Sequence, residues 1–155
     1  MIELDFEIKG YPGTGRRVEL DSDLATVYQP DLVNGAFMGD AVVRLGDVDL
    51  GTDFHWLTML DWCARLTGAV RTLDREPTHT IDFFESDDFL SLRRHGDDLL
   101  AACSYRPGIA VVPYRDFAQA VRRFTAERMR WLSENFPTAL DNPAMPQLKR
   151  ALGVD

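Results

Sequence analysis

The chain has 155 residues, of which 45% are hydrophobic, 10% aromatic and 27% charged. This composition predicts one globular domain over residues 1–155 and disfavours a disordered, collagen-like or coiled-coil protein. The formal net charge of −8 disfavours nucleic-acid binding and docking on anionic lipid, because both need a basic surface.

The cellular compartment is inferred from the N-terminal residues and the cysteines. Residues 1–5 lack the basic start and apolar run of a signal peptide, and no stretch approaches the roughly 18 apolar residues of a membrane span. Cys63 and Cys103 are too few for a disulfide framework and are not spaced for zinc. We therefore expect a cytoplasmic protein with two unpaired thiols and no cofactor.

The first predicted element is a strand. Residues 2–8 alternate apolar and charged side chains, which places one apolar face on a sheet. Glycines and a proline within residues 10–15 predict a turn. Residues 16–20 and 24–29 are then predicted to return as one bent strand or two short strands.

Next along the chain, residues 30–39 are predicted to form a loop. A hairpin is predicted from strands 41–45 and 48–50, joined at Gly46 and Asp47. A mostly buried helix over residues 53–73 follows, because its polar side chains form only a narrow stripe.

The second half is predicted to repeat this order of strands followed by a helix. A helix over residues 114–136 keeps its apolar side chains at helical spacing. The tail over residues 136–155 is predicted as loop with one short helix. The strands predicted before the long helix are 79–85, 89–94, 99–105 and 109–112.

Strands and helices in this order predict an α+β fold. We expect an antiparallel sheet of about six or seven strands, with the two long helices packed on one of its faces.

No common enzyme motif occurs in the sequence. The glycines of residues 10–15 suggest a phosphate loop, but no Gly-Lys-Ser/Thr follows and the next residues have a strand pattern. The Gly-x-Ser-x-Gly, His-Glu-x-x-His, EF-hand and Cys-x-x-Cys signatures are also missing. An enzyme is therefore disfavoured, and no catalytic residue is assigned.

A metal site was considered at Asp47, Asp49, Asp53 and His55, whose carboxylates and imidazole could converge on a divalent cation. Each residue also has a simpler role: Asp47 in a turn, Asp49 on a strand surface, Asp53 as a helix cap and His55 in the polar stripe. We therefore expect no metal at these residues.

The predicted binding residues are acids in loops. Residues 1–114 carry twenty acidic and ten basic side chains, so the negative charge is concentrated there. Because the loop 85–88 and the acidic turn at 97–98 lie at opposite ends of one strand, roughly 20 Å apart, they cannot form one compact site. We expect the first of these ends to bind a partner, through Glu85, Asp87, Asp88, Asp47 and Asp49. The alternative is a solvated acidic surface.

One strand-to-helix segment in the second half carries a resemblance to known proteins. Its residues are Ser104, Tyr105, Arg106, Pro107, Gly108, Val111, Val112, Pro113, Tyr114, Arg115, Asp116 and Phe117. The pattern of this segment is similar to that of small, acidic, largely uncharacterised α+β proteins of bacteria with GC-rich genomes, some of which resemble immunity proteins that neutralise a toxin. This resemblance implies a protein partner and carries over no functional residue.

The leading hypothesis is a non-enzymatic cytoplasmic protein that binds the basic surface of a protein partner through its acidic loops. The resemblance adds the immunity type as one form of this hypothesis. The alternative is a small-ligand-binding protein or minor enzyme, with a pocket between the sheet and helix 53–73. That pocket would use His55, Asp61 and Arg65, so a cavity reaching all three would favour it. No oligomeric state is predicted.

Overall fold

The computed structural model describes residues 1–9 and 17–154. The turn predicted at residues 10–15, and residue 16 of the strand predicted after it, lie outside this range. The strands described are β1 (Ile2–Ile8), β2 (Met38–Leu45), β3 (Val48–Asp49), β4 (Leu57–Thr58), β5 (Thr78–Asp82), β6 (Phe89–His95), β7 (Asp98–Cys103) and β8 (Ala110–Pro113). The α-helices are α1 (Val18–Asp21), α2 (Gln29–Asn34), α3 (Met59–Leu73), α4 (Tyr114–Asn135) and α5 (Met145–Leu152), and Pro137–Asp141 form a 3-10 helix.

The strands form two antiparallel sheets of four strands each. In the first sheet β2 pairs with β1 on one side, and on the other side β4 pairs with its start and β3 with its end. The second sheet is the meander β5-β6-β7-β8. The predicted α+β class is confirmed, but the single sheet of six or seven strands is wrong. The chain leaves β4 directly into α3 and returns at β5, so the strands before and after this helix pair separately.

The pairing of β1 with β2 depends on a close backbone approach. Gly39 lies opposite Ile8, and a Cβ atom on Gly39 would lie 1.8 Å from the carbonyl oxygen of Glu7. Only glycine fits there without moving β1. Two positions further along β2, Ala41 faces Phe6, and both side chains are buried in the core.

The two long helices were predicted with different success. Helix α4 begins at Tyr114, as expected, and ends within a residue of the predicted boundary. Helix α3 begins at Met59, so the predicted start at residue 53 is wrong. Residues 54 and 55 cannot continue the helix because both backbone N–H groups donate to the Asp40 carboxylate, and His55 has a positive φ of 68°.

Residues 17–37 also differ from prediction. The strands predicted over 16–29 are replaced, within the described residues, by α1 and a turn, and α2 lies in the predicted loop. A buried carboxylate explains the change: Glu19 accepts hydrogen bonds from Arg17 Nε and from the backbone N–H of Phe37, both at 2.9 Å. These contacts tie α1 to the start of β2, which a strand at this position could not do.

The C-terminal segment contains the short helix that was predicted there, α5, and a 3-10 helix precedes it in the part predicted as loop. Met145, Leu148 and Leu152 on α5 are buried. The buried Asn142 amide donates to the carbonyl oxygens of Leu24 and Val27, at 2.9 and 3.0 Å. The segment therefore packs as part of the core.

The two long helices contact each other and cover one face of the second sheet. Helix α3 contacts β2 and β5, and α4 contacts β1, β7 and β8. The covered face carries buried side chains of Ile81, Leu90, Leu92, Leu99 and Val112. The opposite face carries exposed apolar side chains of Phe89, Ile109 and Val111. This uncovered face lies beside the acidic loop between β5 and β6.

Candidate binding surface and cavity

The connection between β5 and β6, residues 83–88, carries three of the predicted binding acids. The backbone N–H of Phe83 donates to the Asp88 carbonyl at 3.0 Å, and that of Ser86 donates to the Phe83 carbonyl at 3.1 Å, which closes a compact turn. Glu85 and Asp87 are exposed, and Asp88 is partly exposed. Phe83 anchors this loop, because its buried ring contacts the rings of Phe54, Trp62 and Tyr105 at centroid distances of 5.3, 6.1 and 5.7 Å.

A single segment, residues 104–106, links this loop to the acids of β3. Ser104 Oγ donates to Asp88 Oδ1 at 3.0 Å. Two residues on, Arg106 Nη1 lies 3.3 Å from Asp49 Oδ2. Asp88 and Asp49 are thus tied to the same short segment, and Asp47 lies exposed in the turn between β2 and β3. The turn at residues 97–98 follows the far end of β6 and is not part of this group.

Exposed apolar side chains lie close to the acids. Phe84 within the loop is 83% exposed, and Phe89 at the start of β6 is 40% exposed. Ile109, just before β8, is 67% exposed, and Val111 on β8 is 59% exposed. An apolar centre with a polar rim is typical of surfaces that bind other proteins.

A cavity of about 430 Å³ opens beside this loop, between α3 and the segment that leads into it. Small-molecule sites range over roughly 300–1,000 Å³, so the cavity is large enough for a ligand or a partner side chain. Of the three residues in the alternative hypothesis, Asp61 and Arg65 line the cavity, whereas His55 is not among the lining residues. The lining residues are Asn34, Trp56, Leu57, Thr58, Asp61, Arg65, Phe83, Phe84 and Glu85.

Arg65 is held in place at the cavity wall. Its Nε donates to Asp61 Oδ2 at 2.6 Å, and its Nη1 donates to the Asp82 carbonyl at 2.9 Å. The guanidinium carbon lies 4.4 Å from the centroid of the Phe84 ring. Residues 61 and 65 lie one helical turn apart, and their pairing neutralises both charges.

His55 belongs instead to a separate contact with Asp40. The imidazole Nδ1 lies 2.7 Å from Asp40 Oδ2, and Thr52 Oγ1 donates to Asp40 Oδ1 at 2.8 Å. Burial by itself would raise the pKa of the Asp40 carboxyl. Hydrogen bonds from the His55 backbone and ring, the Thr52 hydroxyl and the Phe54 N–H outweigh burial and lower this pKa below its ordinary value of 3.8.

The fold brings together a different set of possible metal ligands from the set considered in the sequence. Ligand atoms of Asp40, Asp53 and His55 lie within 4.8 Å of one another, while Asp47 and Asp49 are not in this group. The distance from His55 Nε2 to Asp53 Oδ1 is 3.4 Å. Asp40 already accepts several hydrogen bonds, and Lys9 Nζ lies 3.5 Å from it. The geometry thus assigns Asp40 to holding residues 52–55 in place.

Sequence reasoning missed three residues of these sites: Asp40, Trp56 and Phe84. Asp40 was missed because residues 30–39 were predicted as a loop and the next strand was predicted to begin at residue 41, three residues after the start of β2. Trp56 was placed inside a helix. Phe84 carried a usable signal, because an apolar side chain on the polar face of an alternating strand indicates an exposed apolar site.

Comparison with protein-family models gives no match. Comparisons with curated proteins and with solved structures give no significant match either. Among the described residues, no helix has both the length and the apolar character needed to cross a membrane.

Proposed function

We propose that this chain is a non-enzymatic, cytoplasmic binding protein that engages the basic surface of a protein partner through its acidic loops. The binding residues are Glu85, Asp87, Asp88, Asp47 and Asp49. The resemblance of residues 104–117 to immunity-type proteins adds a partner class, a toxin whose basic surface these loops would cover.

The observation that carries this proposal is the combination of unpaired acids and exposed apolar side chains on one side of the molecule. Within the described part of the chain, Glu85, Asp87 and Asp88 form no salt bridge. Their charges are therefore available to a basic partner, and Phe84 beside them offers apolar area to bury. Charge speeds the encounter, and burial of the apolar side chains slows dissociation.

The test compares two variants that lose the same charge. One carries Glu85→Gln, Asp87→Asn and Asp88→Asn. The control carries Glu76→Gln, Asp97→Asn and Asp98→Asn, which are also exposed but lie at the far end of β6. Proteins from an extract of the organism that encodes the chain are captured on the wild type, and association rates of the purified partner are measured at several salt concentrations.

We expect the loop variant to associate about tenfold more slowly at low salt and with a flatter salt dependence, and the control variant to behave like the wild type. Equal slowing of both variants would indicate a general effect of net charge rather than a specific binding surface. Unchanged association in both variants would indicate that the acids only form a solvated surface. Either result would overturn the proposal.

The cavity supports a second candidate, a small-ligand-binding protein or minor enzyme. The observation in its favour is that Asp61 and Arg65 line a cavity of about 430 Å³. Thermal denaturation against a panel of metabolites tests it: a ligand should raise the melting temperature of the wild type and have no effect on Trp56→Ala. A panel without any such ligand would count against this candidate.

A further inference from the structure

The cavity beside the acidic loop has the chemistry of a site for a cationic side chain. Its charged lining residues are Asp61, Glu85 and Arg65. Since Asp61 and Arg65 neutralise each other at 2.6 Å, Glu85 supplies the remaining charge. A ligand with a positive charge is therefore favoured, because Glu85 would attract it and would repel an anion.

Aromatic side chains form the other part of this lining. Trp56 is partly buried, and its indole stacks on Phe54 with a centroid distance of 5.2 Å, so the ring is fixed by packing. Phe84 is 83% exposed although Arg65 covers one side of its ring. The other side of the ring faces solvent. Aromatic faces next to a carboxylate attract guanidinium and ammonium groups.

Arginine fits this lining better than lysine. A planar guanidinium can stack on an aromatic ring while it donates two hydrogen bonds to one carboxylate. The ring of Phe84 stacks with the Arg65 guanidinium at 4.4 Å on one side, and its other side is open to a ligand guanidinium whose charge Glu85 would balance. Arginine is also common among the residues that dominate binding energy in protein interfaces.

We propose that this cavity receives an arginine side chain of the basic protein partner, stacked against Phe84 and Trp56 and paired with Glu85. This inference rests on the proposed function and adds the anchor residue that the partner supplies. The acids at 87 and 88 then attract the partner, whereas the cavity fixes its position.

The experiment uses the full chain labelled with ¹⁵N and follows the indole N–H resonance of Trp56, assigned with a Trp56→Phe variant. The probes are N-acetyl-arginine methylamide, the corresponding citrulline compound, which has the same shape without the charge, and the lysine compound. Trp62 and Trp131 do not line the cavity and serve as internal controls.

We expect the arginine compound to shift the Trp56 resonance saturably, with a dissociation constant on the order of millimolar. The citrulline and lysine compounds should bind at least several-fold more weakly. The Glu85→Gln and Phe84→Ala variants should weaken arginine binding at least several-fold, whereas Glu76→Gln should leave it unchanged within about twofold. Glu76→Gln is the matched control, since it makes the same substitution at an exposed glutamate that does not line the cavity.

Three results would overturn the inference. They are citrulline binding as tightly as arginine, equal losses from Glu85→Gln and Glu76→Gln, and the absence of any saturable shift of Trp56. The proposed function fails separately, if no partner shows association that depends on the loop acids. A partner that binds through these acids but is unaffected by Phe84→Ala would leave the proposed function standing and remove the arginine anchor.

Discussion

The buried carboxylate of Asp40 holds His55 in a left-handed backbone conformation. Asp40 Oδ1 accepts the His55 backbone N–H at 3.0 Å, Oδ2 lies 2.7 Å from the imidazole Nδ1, and φ of His55 is 68°. A positive φ is costly for a residue other than glycine and persists only where surrounding contacts enforce it. This contact keeps residues 54 and 55 out of the helix, which begins at Met59 after β4.

Replacement of Asp40 by asparagine is therefore expected to destabilise the protein. Asparagine keeps one acceptor oxygen but loses the charge that strengthens the bonds to residues 52–55, so the free energy of unfolding should fall by about 1–3 kcal/mol. Urea denaturation measures this loss. Asp53→Asn is the control, because the Asp53 side chain is 76% exposed, and it should change stability by less than about 0.5 kcal/mol. Equal losses of stability in the two variants would contradict the structural role of Asp40.

The low pKa of the Asp40 carboxyl predicts that the free energy of unfolding depends on pH in the acid range. The pKa of Asp40 is lower in the folded protein than its ordinary value of 3.8. Its contribution is therefore complete above that value and is lost as the pH falls towards the folded pKa. Unfolding free energies of the wild type and Asp40→Asn, measured from about pH 6 to about pH 2.5, should converge in the acid range. A difference that stays constant over this range would contradict the prediction.

Two glycine-to-alanine substitutions should act in opposite directions. Gly39→Ala places a Cβ atom 1.8 Å from the Glu7 carbonyl oxygen, so β1 must move away, and we expect a loss of at least about 2 kcal/mol. Gly68 lies within α3 with no atom within 4 Å of an added Cβ. Gly68→Ala should stabilise the protein by up to about 1 kcal/mol, since alanine favours the helix. Thermal and urea denaturation distinguish these outcomes, and a tolerated Gly39→Ala would contradict the β1–β2 register.

Burial of α3 predicts a large effect at Leu60. This side chain is 0% exposed, so Leu60→Ala should lower the free energy of unfolding by about 2–5 kcal/mol through lost burial and the cavity left behind. Leu20 on α1 is 62% exposed, and Leu20→Ala should cost less than about 0.5 kcal/mol. Chemical denaturation of both variants is the measurement. A loss below about 1 kcal/mol at Leu60 would place α3 at the surface.

The two thiols should differ in reactivity. Burial raises the pKa of Cys63 to about 12, which leaves almost no thiolate near neutral pH, whereas Cys103 is partly exposed. Treatment of the folded protein with a disulfide reagent at about pH 8 should modify one thiol, and the second only after denaturant is added. Cys103→Ser should abolish the first reaction, and Cys63→Ser only the second. Rapid modification of both thiols in the native protein would contradict this burial.

Local sequence determined the elements whose pattern is long and regular. The alternation of residues 2–8 and the helical spacing of residues 114–136 correspond to β1 and α4 almost residue for residue. Each pattern reports burial on one face, and over seven or more residues only one period fits it. The hairpins around Gly46 and Gly96 were likewise recognisable, because both glycines have a positive φ of 61° that the turns require.

The tertiary structure decided the elements that depend on distant partners. Glu19 ties α1 to Phe37, and Asp40 holds residues 52–55 outside α3. The sequence does not distinguish either of these buried carboxylates from one that faces solvent. The groups that hydrogen-bond to them are brought close only by folding. The cavity has the same origin, since Trp56, Asp61 and Glu85 come from three different elements. A sequence specifies each of these side chains, but only packing of the elements against one another sets the distances between them.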